Sequence, residues 1–294
     1  MRARPLRALA VAGSGRGVLA LCAALLPAVA SACGGSGQRQ PHPPATRLLA
    51  QTFTAHAPAS GGHVALALAL TSAGGERLAL RVTGPFRLPT AGGAPSFALA
   101  ISLAWKAPAT PERSLPITLT AGPSSLSLTL DGRRVPVAPE ASRALRDGYA
   151  QTLKGAPAPL GLQPAQWVVG PRVVGFSGRG REASVHLTGA LAVHRFASEL
   201  GGLVGFATGL QQLAGAGQEA SAVARGLTAA AQQGRGRGEV EVDSGARDHL
   251  LRALDVRASL TPPAGSREGA GRALKIHFAL TFTGLEEARH PPAR

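Results

Sequence analysis

Phe97-Ala-Leu-Ala-Ile-Ser-Leu-Ala-Trp105, FALAISLAW, sets Phe97, Leu99, Ile101, Leu103 and Trp105 against Ala98, Ala100, Ser102 and Ala104. Large and small residues alternate with a period of two. Such alternation places all the large side chains on one side of an extended chain, so the stretch reads as a strand with one buried face. Alanine and leucine favour helix by intrinsic propensity. The period, the short run and the bounding turn residues outweigh that preference.

The same pattern spreads in both directions. Val64, Leu66, Leu68 and Leu70 alternate with alanines, SAGGE follows, and Leu78, Leu80 and Val82 repeat the alternation, which predicts a β-hairpin. Gly84-Pro85-Phe86 reads as the next turn. Downstream, residues 115–120, 126–131 and 135–137 continue a meander, with Asp131-Gly132 as a tight-turn pair. Residues 173–174 and 183–188 read as strands, Val240 and Val242 begin another, and Asp243-Ser-Gly245 reads as a turn. Leu254, Val256, Ala258 and Leu260 alternate, as do Leu274, Ile276, Phe278, Leu280 and Phe282 near the end.

Helical spacing is confined to a few places. Leu48, Leu49 and Phe53 suggest a short helix over residues 46–57. Pro139-Glu140 opens a second, in which Ala141, Leu145, Tyr149 and Leu153 share a stripe. Gln163-PAQWVV suggests a helical turn. Phe196, Leu200, Leu203, Phe206, Leu210 and Leu213 suggest two helices over residues 191–233, loosened by glycines. Consecutive strands with short turns pair antiparallel, and the large-residue face of each must be covered. The expected fold is α+β: a curved, unclosed antiparallel sheet, a half-barrel, with helices on its concave face and residues 46–294 forming a single domain.

The amino-terminal segment supplies an address. Arg2, Arg4, Arg7 and Arg16 precede VLALCAALLPAVASA, an uncharged run over residues 18–32. The run is shorter than the ~20 residues of a membrane-spanning helix, and it ends in Ala30-Ser31-Ala32, so residues 1–32 read as a secretory signal. Cys22 leaves with that signal, and Cys33 is then the sole cysteine. It has no disulfide partner and no Cys or His near it at ligand spacing. Val29-Ala30-Ser31-Ala32-Cys33 resembles the bacterial lipobox, which implies a diacylglyceryl group on the Cys33 thiol. Ala30 stands where that pattern prefers leucine, which leaves open ordinary signal-peptidase cleavage and secretion. Residues 33–45, rich in Gly and Pro, form a polar tether. The expected location is the extracytoplasmic face of the cell membrane, with the chain held by its lipid anchor.

Charge points to no specific partner. The chain carries a formal +15, with 31 basic and 16 acidic residues. Four of the basic residues and none of the acids lie in the leader, so the remaining 262 residues carry +11. The arginines are scattered, and at 4% aromatic residues there is no base-stacking platform, so a nucleic-acid partner is not expected. Weak attraction to anionic headgroups is the charge reading that survives.

Sought motifs are missing. The eight histidines form no HxxxH or HExxH pattern, so no metal is expected. His186 and His277 fall on strand faces opposite the large residues and are expected to meet solvent. Gly175-Phe176-Ser177-Gly178 is one residue short of G-x-S-x-G, because Arg179 occupies the last glycine position, and Ser177 reads as a loop serine. No enzyme and no cofactor are expected; Ser177→Ala separates the remaining hydrolase alternative.

The order of elements resembles a family. Cys33 and its tether are followed by a hairpin, Gly84-Pro85-Phe86-Arg87-Leu88 and Pro95-Ser-Phe97-x-Leu99-x-Ile101-x-Leu103. Next come Asp131-Gly132, Val135-Pro136, a helix ending in Gly148-Tyr149-Ala150, Leu160-Gly-Leu162-Gln163-Pro164-x-x-Trp167 and a closing strand pair. This is similar to cell-envelope lipoproteins of high-GC actinobacteria, and through them to the mycobacterial lipid-carrier lipoproteins with the LolA-like fold. The resemblance implies lipid or lipoprotein binding between sheet and helices. The residues expected to line an acyl site are Phe97, Leu99, Ile101, Leu103, Trp105, Ile276, Phe278 and Leu280. The alternative is a structural or protein-interaction lipoprotein with a filled core and no ligand.

Overall fold

Leu66 faces Leu280, Leu68 faces Phe278, and Leu70 faces Ile276 across one antiparallel pair. The first strand of the chain thus lies beside the last, at the centre of the sheet. The computed structural model describes residues 44–54, 59–88, 95–122, 125–137, 143, 163–180, 183–201, 204, 235–261 and 273–287. The strands are β1 (Ala59–Ser72), β2 (Arg77–Arg87), β3 (Ser96–Lys106), β4 (Arg113–Ala121), β5 (Leu126–Leu130), β6 (Arg133–Val135), β7 (Val168–Ser177), β8 (Ser184–Leu191), β9 (Arg235–Gly245), β10 (Leu251–Thr261) and β11 (Leu274–Glu287). They form one sheet in the order β6-β5-β4-β3-β2-β1-β11-β10-β9-β8-β7, with edges at β6 and β7. At about 4.8 Å per strand such a sheet is about 48 Å across, and open sheets of this width curl. The sheet is unclosed and antiparallel, as expected.

Burial follows the alternation. In β2 every second residue from Leu78 to Phe86 is buried and most of the others are exposed, and β3 repeats the pattern from Phe97 to Trp105. Helix α1 (Ala45–Thr54) contributes Leu48 and Leu49 to the core on the concave face. Its Thr52 hydroxyl donates to Leu48 O at 2.8 Å and stands 2.8 Å from the hydroxyl of Ser244 in β9. Helix α2, residues 193–201, adds Phe196, Ala197 and Leu200 to the same core. Of the expected helix beginning at Pro139 only Arg143 is described, and of the 191–233 helical region beyond α2 only Val204, both helical and Val204 in the core; Cys33 and the leader lie outside the described residues.

Two expected turns are strand interior instead. Gly84-Pro85 continues β2: Gly84 faces Val64 of β1, and a Cβ on Gly84 would lie 2.0 Å from Ala98 O of β3. Glycine is needed there because a neighbouring backbone passes too close for a side chain. Asp243-Ser-Gly245 completes β9, and the reversal comes after it, where His249 N donates to Gly245 O at 3.0 Å. The Asp131-Gly132 turn forms as expected, with φ of 47° and 74°, both left-handed as a tight hairpin turn demands. Gln163-PAQWVV yields a 3-10 turn at Pro164–Gln166, and β7 starts at Val168.

Candidate functional site

The concave face is built of rows that run across strands. One row passes through Leu115, Leu103, Leu80, Leu68, Phe278, Val256 and Val240 in seven adjacent strands. The next passes through Ile117, Ile101, Val82, Leu66, Leu280, Leu254, Val242 and Leu187. The eight expected lining residues all lie on this face. Phe97, Leu99, Ile101, Leu103 and Trp105 come from β3, Ile276, Phe278 and Leu280 from β11, and β1 and β2 bridge the two groups. All eight are buried, Trp105 being the most exposed at 8%.

At the β7 end an aromatic cluster fastens α2. The Trp167 ring meets Phe196 at a centroid distance of 5.0 Å and Phe278 at 5.8 Å, both edge to face. The indole N–H donates to Glu199 Oε2 at 2.7 Å, and Gln163 N donates to the same oxygen at 2.7 Å. Arg195 adds an ion pair to Glu199 Oε1 at 3.4 Å. The sequence reading places Trp167 at the helical turn Gln163-PAQWVV and does not anticipate Glu199 as its acceptor. A carboxylate one helical turn from an arginine looks like an ordinary surface pair until the indole is placed beside it.

The outward face is small and polar. His63, Pro85, Arg87, Ser96, Ala98 and Glu286 border a groove of about 570 Å³. Arg237, Glu239, Arg257, Lys275 and His277 border another of about 630 Å³. His277 Nε2 lies 2.8 Å from Asp255 Oδ2, and Arg257 pairs with the same carboxylate at 3.0 Å.

A third arrangement on that face joins three strands. His186 Nε2 is 2.7 Å from Ser177 Oγ, and His186 Nδ1 is 2.5 Å from Asp243 Oδ1. His186 is partly exposed, as its position opposite the large residues implies. Its two partners are not evident from the sequence: Ser177 reads there as a loop residue and Asp243 as a turn residue. Pairing of β7, β8 and β9 brings them together.

The chain resembles mycobacterial lipoproteins. Solved structures similar to it include LprF from Mycobacterium bovis, at 12% identity over 85% of this chain and 96% of that one, with a TM-score of 0.32. The lipoprotein LppX from Mycobacterium tuberculosis is similar at 10% identity over 83% of this chain and 97% of that one, with a TM-score of 0.27. No family model matches the chain. No curated protein matches it either. Among the described residues no helix is long and apolar enough to cross a membrane.

Proposed function

We propose that the chain is a membrane-anchored envelope lipoprotein that binds acyl chains non-covalently between the sheet and its helices. The observation that carries the reading is the breadth of the apolar face. The row from Ile117 to Leu187 crosses eight strands, about 34 Å at the usual strand spacing. Every residue of that row is buried, and helices α1 and α2, about 15 and 14 Å long and about 10 Å across, supply part of the cover. Alkyl chain is chemically suited to such a face once cover parts. Each buried methylene contributes about 0.8 kcal/mol, so a palmitoyl chain could gain about 12 kcal/mol before the cost of ordering it.

In this reading Phe97, Leu99, Ile101, Leu103, Trp105, Ile276, Phe278 and Leu280 touch the ligand. Their rows are closed to solvent, so entry requires cover to part. Binding on this face uses shape and hydrophobicity and no chemical step. Residues 1–32 act as a leader, Cys33 carries diacylglyceryl, residues 33–45 hold the 46–294 domain off the extracytoplasmic membrane face, and the basic surface adds weak attraction to anionic headgroups.

Brominated fatty acid tests the reading. Bromine quenches tryptophan fluorescence at contact, and the two tryptophans, Trp105 and Trp167, both lie on or beside the apolar face. Saturable quenching by dibromostearate, relieved by unbrominated stearate, is the expected result. Fluorescence unchanged up to the solubility limit of the probe would favour the filled-core alternative.

A further inference from the structure

On the face opposite the apolar one, we propose that Ser177, His186 and Asp243 form a nucleophilic acyl-transfer site that cleaves carboxylic esters.

The first support is geometry. Ser177 Oγ to His186 Nε2 is 2.7 Å, and His186 Nδ1 to Asp243 Oδ1 is 2.5 Å. Both contacts are satisfied when Nδ1–H donates to the carboxylate and Nε2 accepts the serine hydroxyl proton. That is the order nucleophile, base, orienting carboxylate which activates a serine in unrelated folds. The separations in sequence, 9 and 57 residues, show that neither link comes from local chain geometry.

The second support is how the strand delivers the serine. Val173 faces Leu187, but Gly175, not Val174, faces His186, so the register shifts by one residue between them. Strict alternation from Val173 would turn Ser177 to the concave side. The inserted residue turns Gly175 and Ser177 to the outward side, where His186 lies. A bulge that re-aims one side chain is a common device next to reactive groups. Gly175 also leaves the imidazole uncovered: a Cβ there would sit 3.9 Å from His186 Cδ2.

The third support is the surroundings. Ser177 is exposed, and it is followed by Gly178 at φ 72° and Gly180 at φ 63°, flanking Arg179. A glycine turn directly after the nucleophile is suited to present amides to a developing oxyanion, and Arg179 gives that turn a positive charge. Among the described residues the exposed large apolar side chains, Val169, Val174 and Phe176, all lie on β7, the same edge strand. Val169, opposite Ala190, shares the outward side with Ser177 and fits the acyl part of an ester lying along that edge, whereas Phe176, opposite Val185, turns to the other side.

In the reaction, Ser177 Oγ bonds to the ester carbonyl carbon as its proton passes to His186 Nε2, and the carbonyl π pair moves to oxygen. Collapse restores the carbonyl and breaks the ester C–O bond, and the leaving alkoxide takes the proton from His186. Water, deprotonated by His186, then adds to the acyl-serine, and its collapse releases a carboxylic acid and regenerates Ser177. Asp243 is a positioning residue, holding the imidazole in the tautomer that accepts at Nε2.

The test uses the full-length chain and a fluorophosphonate, which phosphonylates activated serines, with the adduct located by peptide mass analysis. Hydrolysis of p-nitrophenyl butyrate is followed in parallel. The expected result is an adduct on Ser177, absent in Ser177→Ala, retained in Ser184→Ala, and formed at least about 10²-fold more slowly in His186→Ala. Asp243→Asn should slow labelling comparably at neutral pH, with the loss shrinking as pH rises and hydroxide replaces the imidazole. Loosened strand packing would slow it at every pH. Unchanged circular dichroism in each variant excludes unfolding as the cause. No adduct on Ser177 in the parent chain, or labelling indifferent to His186→Ala, would overturn the proposal. Either result leaves acyl binding on the concave face untouched.

Discussion

Trp167 and Phe278 meet edge to face, ring planes at 87° and centroids 5.8 Å apart, joining the entrance of β7 to the middle of β11. Phe196 of α2 completes the contact. The cluster is where helix, edge strand and central strand become one core. Trp167→Ala is therefore expected to cost about 3–5 kcal/mol in unfolding free energy. Glu199→Ala should cost about 1–3 kcal/mol, by leaving the indole N–H and the Gln163 N–H without their acceptor. Urea titrations followed by tryptophan fluorescence measure both.

Gly84→Ala is expected to damage the β2–β3 pair. The new Cβ would stand 2.0 Å from Ala98 O, a backbone atom with nowhere to go, at a residue whose φ of 156° is itself unfavourable for alanine. Backbone strain alone costs about 1–3 kcal/mol, and the clash adds to it. Amide hydrogen exchange should show lost protection in β2 and β3 first, with the β9–β10 pair retaining more of its own.

Acid should weaken the fold through His249. Burial pushes its pKa below the usual histidine value, against a smaller opposing pull from Asp248. Its Nδ1 is buried without a hydrogen-bond partner, so a proton there has no acceptor. A depressed folded-state pKa means the unfolded chain binds the proton more tightly. The contribution is fully present above about pH 6.5 and is lost as pH falls through the folded value. His249→Asn removes the titrating group, and asparagine tolerates the φ of 52° at this position. The urea midpoint of the parent chain should fall between pH 7 and pH 5 more than that of the variant.

Anchoring should depend on one sulfur. In cells expressing the full chain, Cys33→Ser is expected to move the protein from the membrane pellet to the soluble extracytoplasmic fraction, since the thiol proposed to carry the diacylglyceryl group is gone. A parent chain that is already soluble would assign the leader to ordinary secretion.

Much of the sheet is legible in the sequence because its information is local. Alternation along Phe97–Trp105 and Leu274–Phe282 fixes which side chains share a face, and all eight residues named from these two stretches lie on the buried one. What escapes is set by pairing between distant segments. Gly84-Pro85 has the composition of a turn, and only the approach of Ala98 explains it as strand interior. Ser177, His186 and Asp243 meet through the register of three strands and a one-residue bulge, which no spacing along the chain encodes. Glu199 is likewise an unremarkable carboxylate until α2 docks on Trp167.

The central claim is that the broad apolar face holds acyl chain, and native mass spectrometry of the full chain purified from membranes addresses it most directly. The expected spectrum has a species heavier than the covalently modified chain by the mass of a long-chain lipid. That excess should disappear on organic denaturation and be recovered in the extract. A protein whose native mass equals that of the chain plus its covalent modification, with no lipid in the extract, would contradict the account.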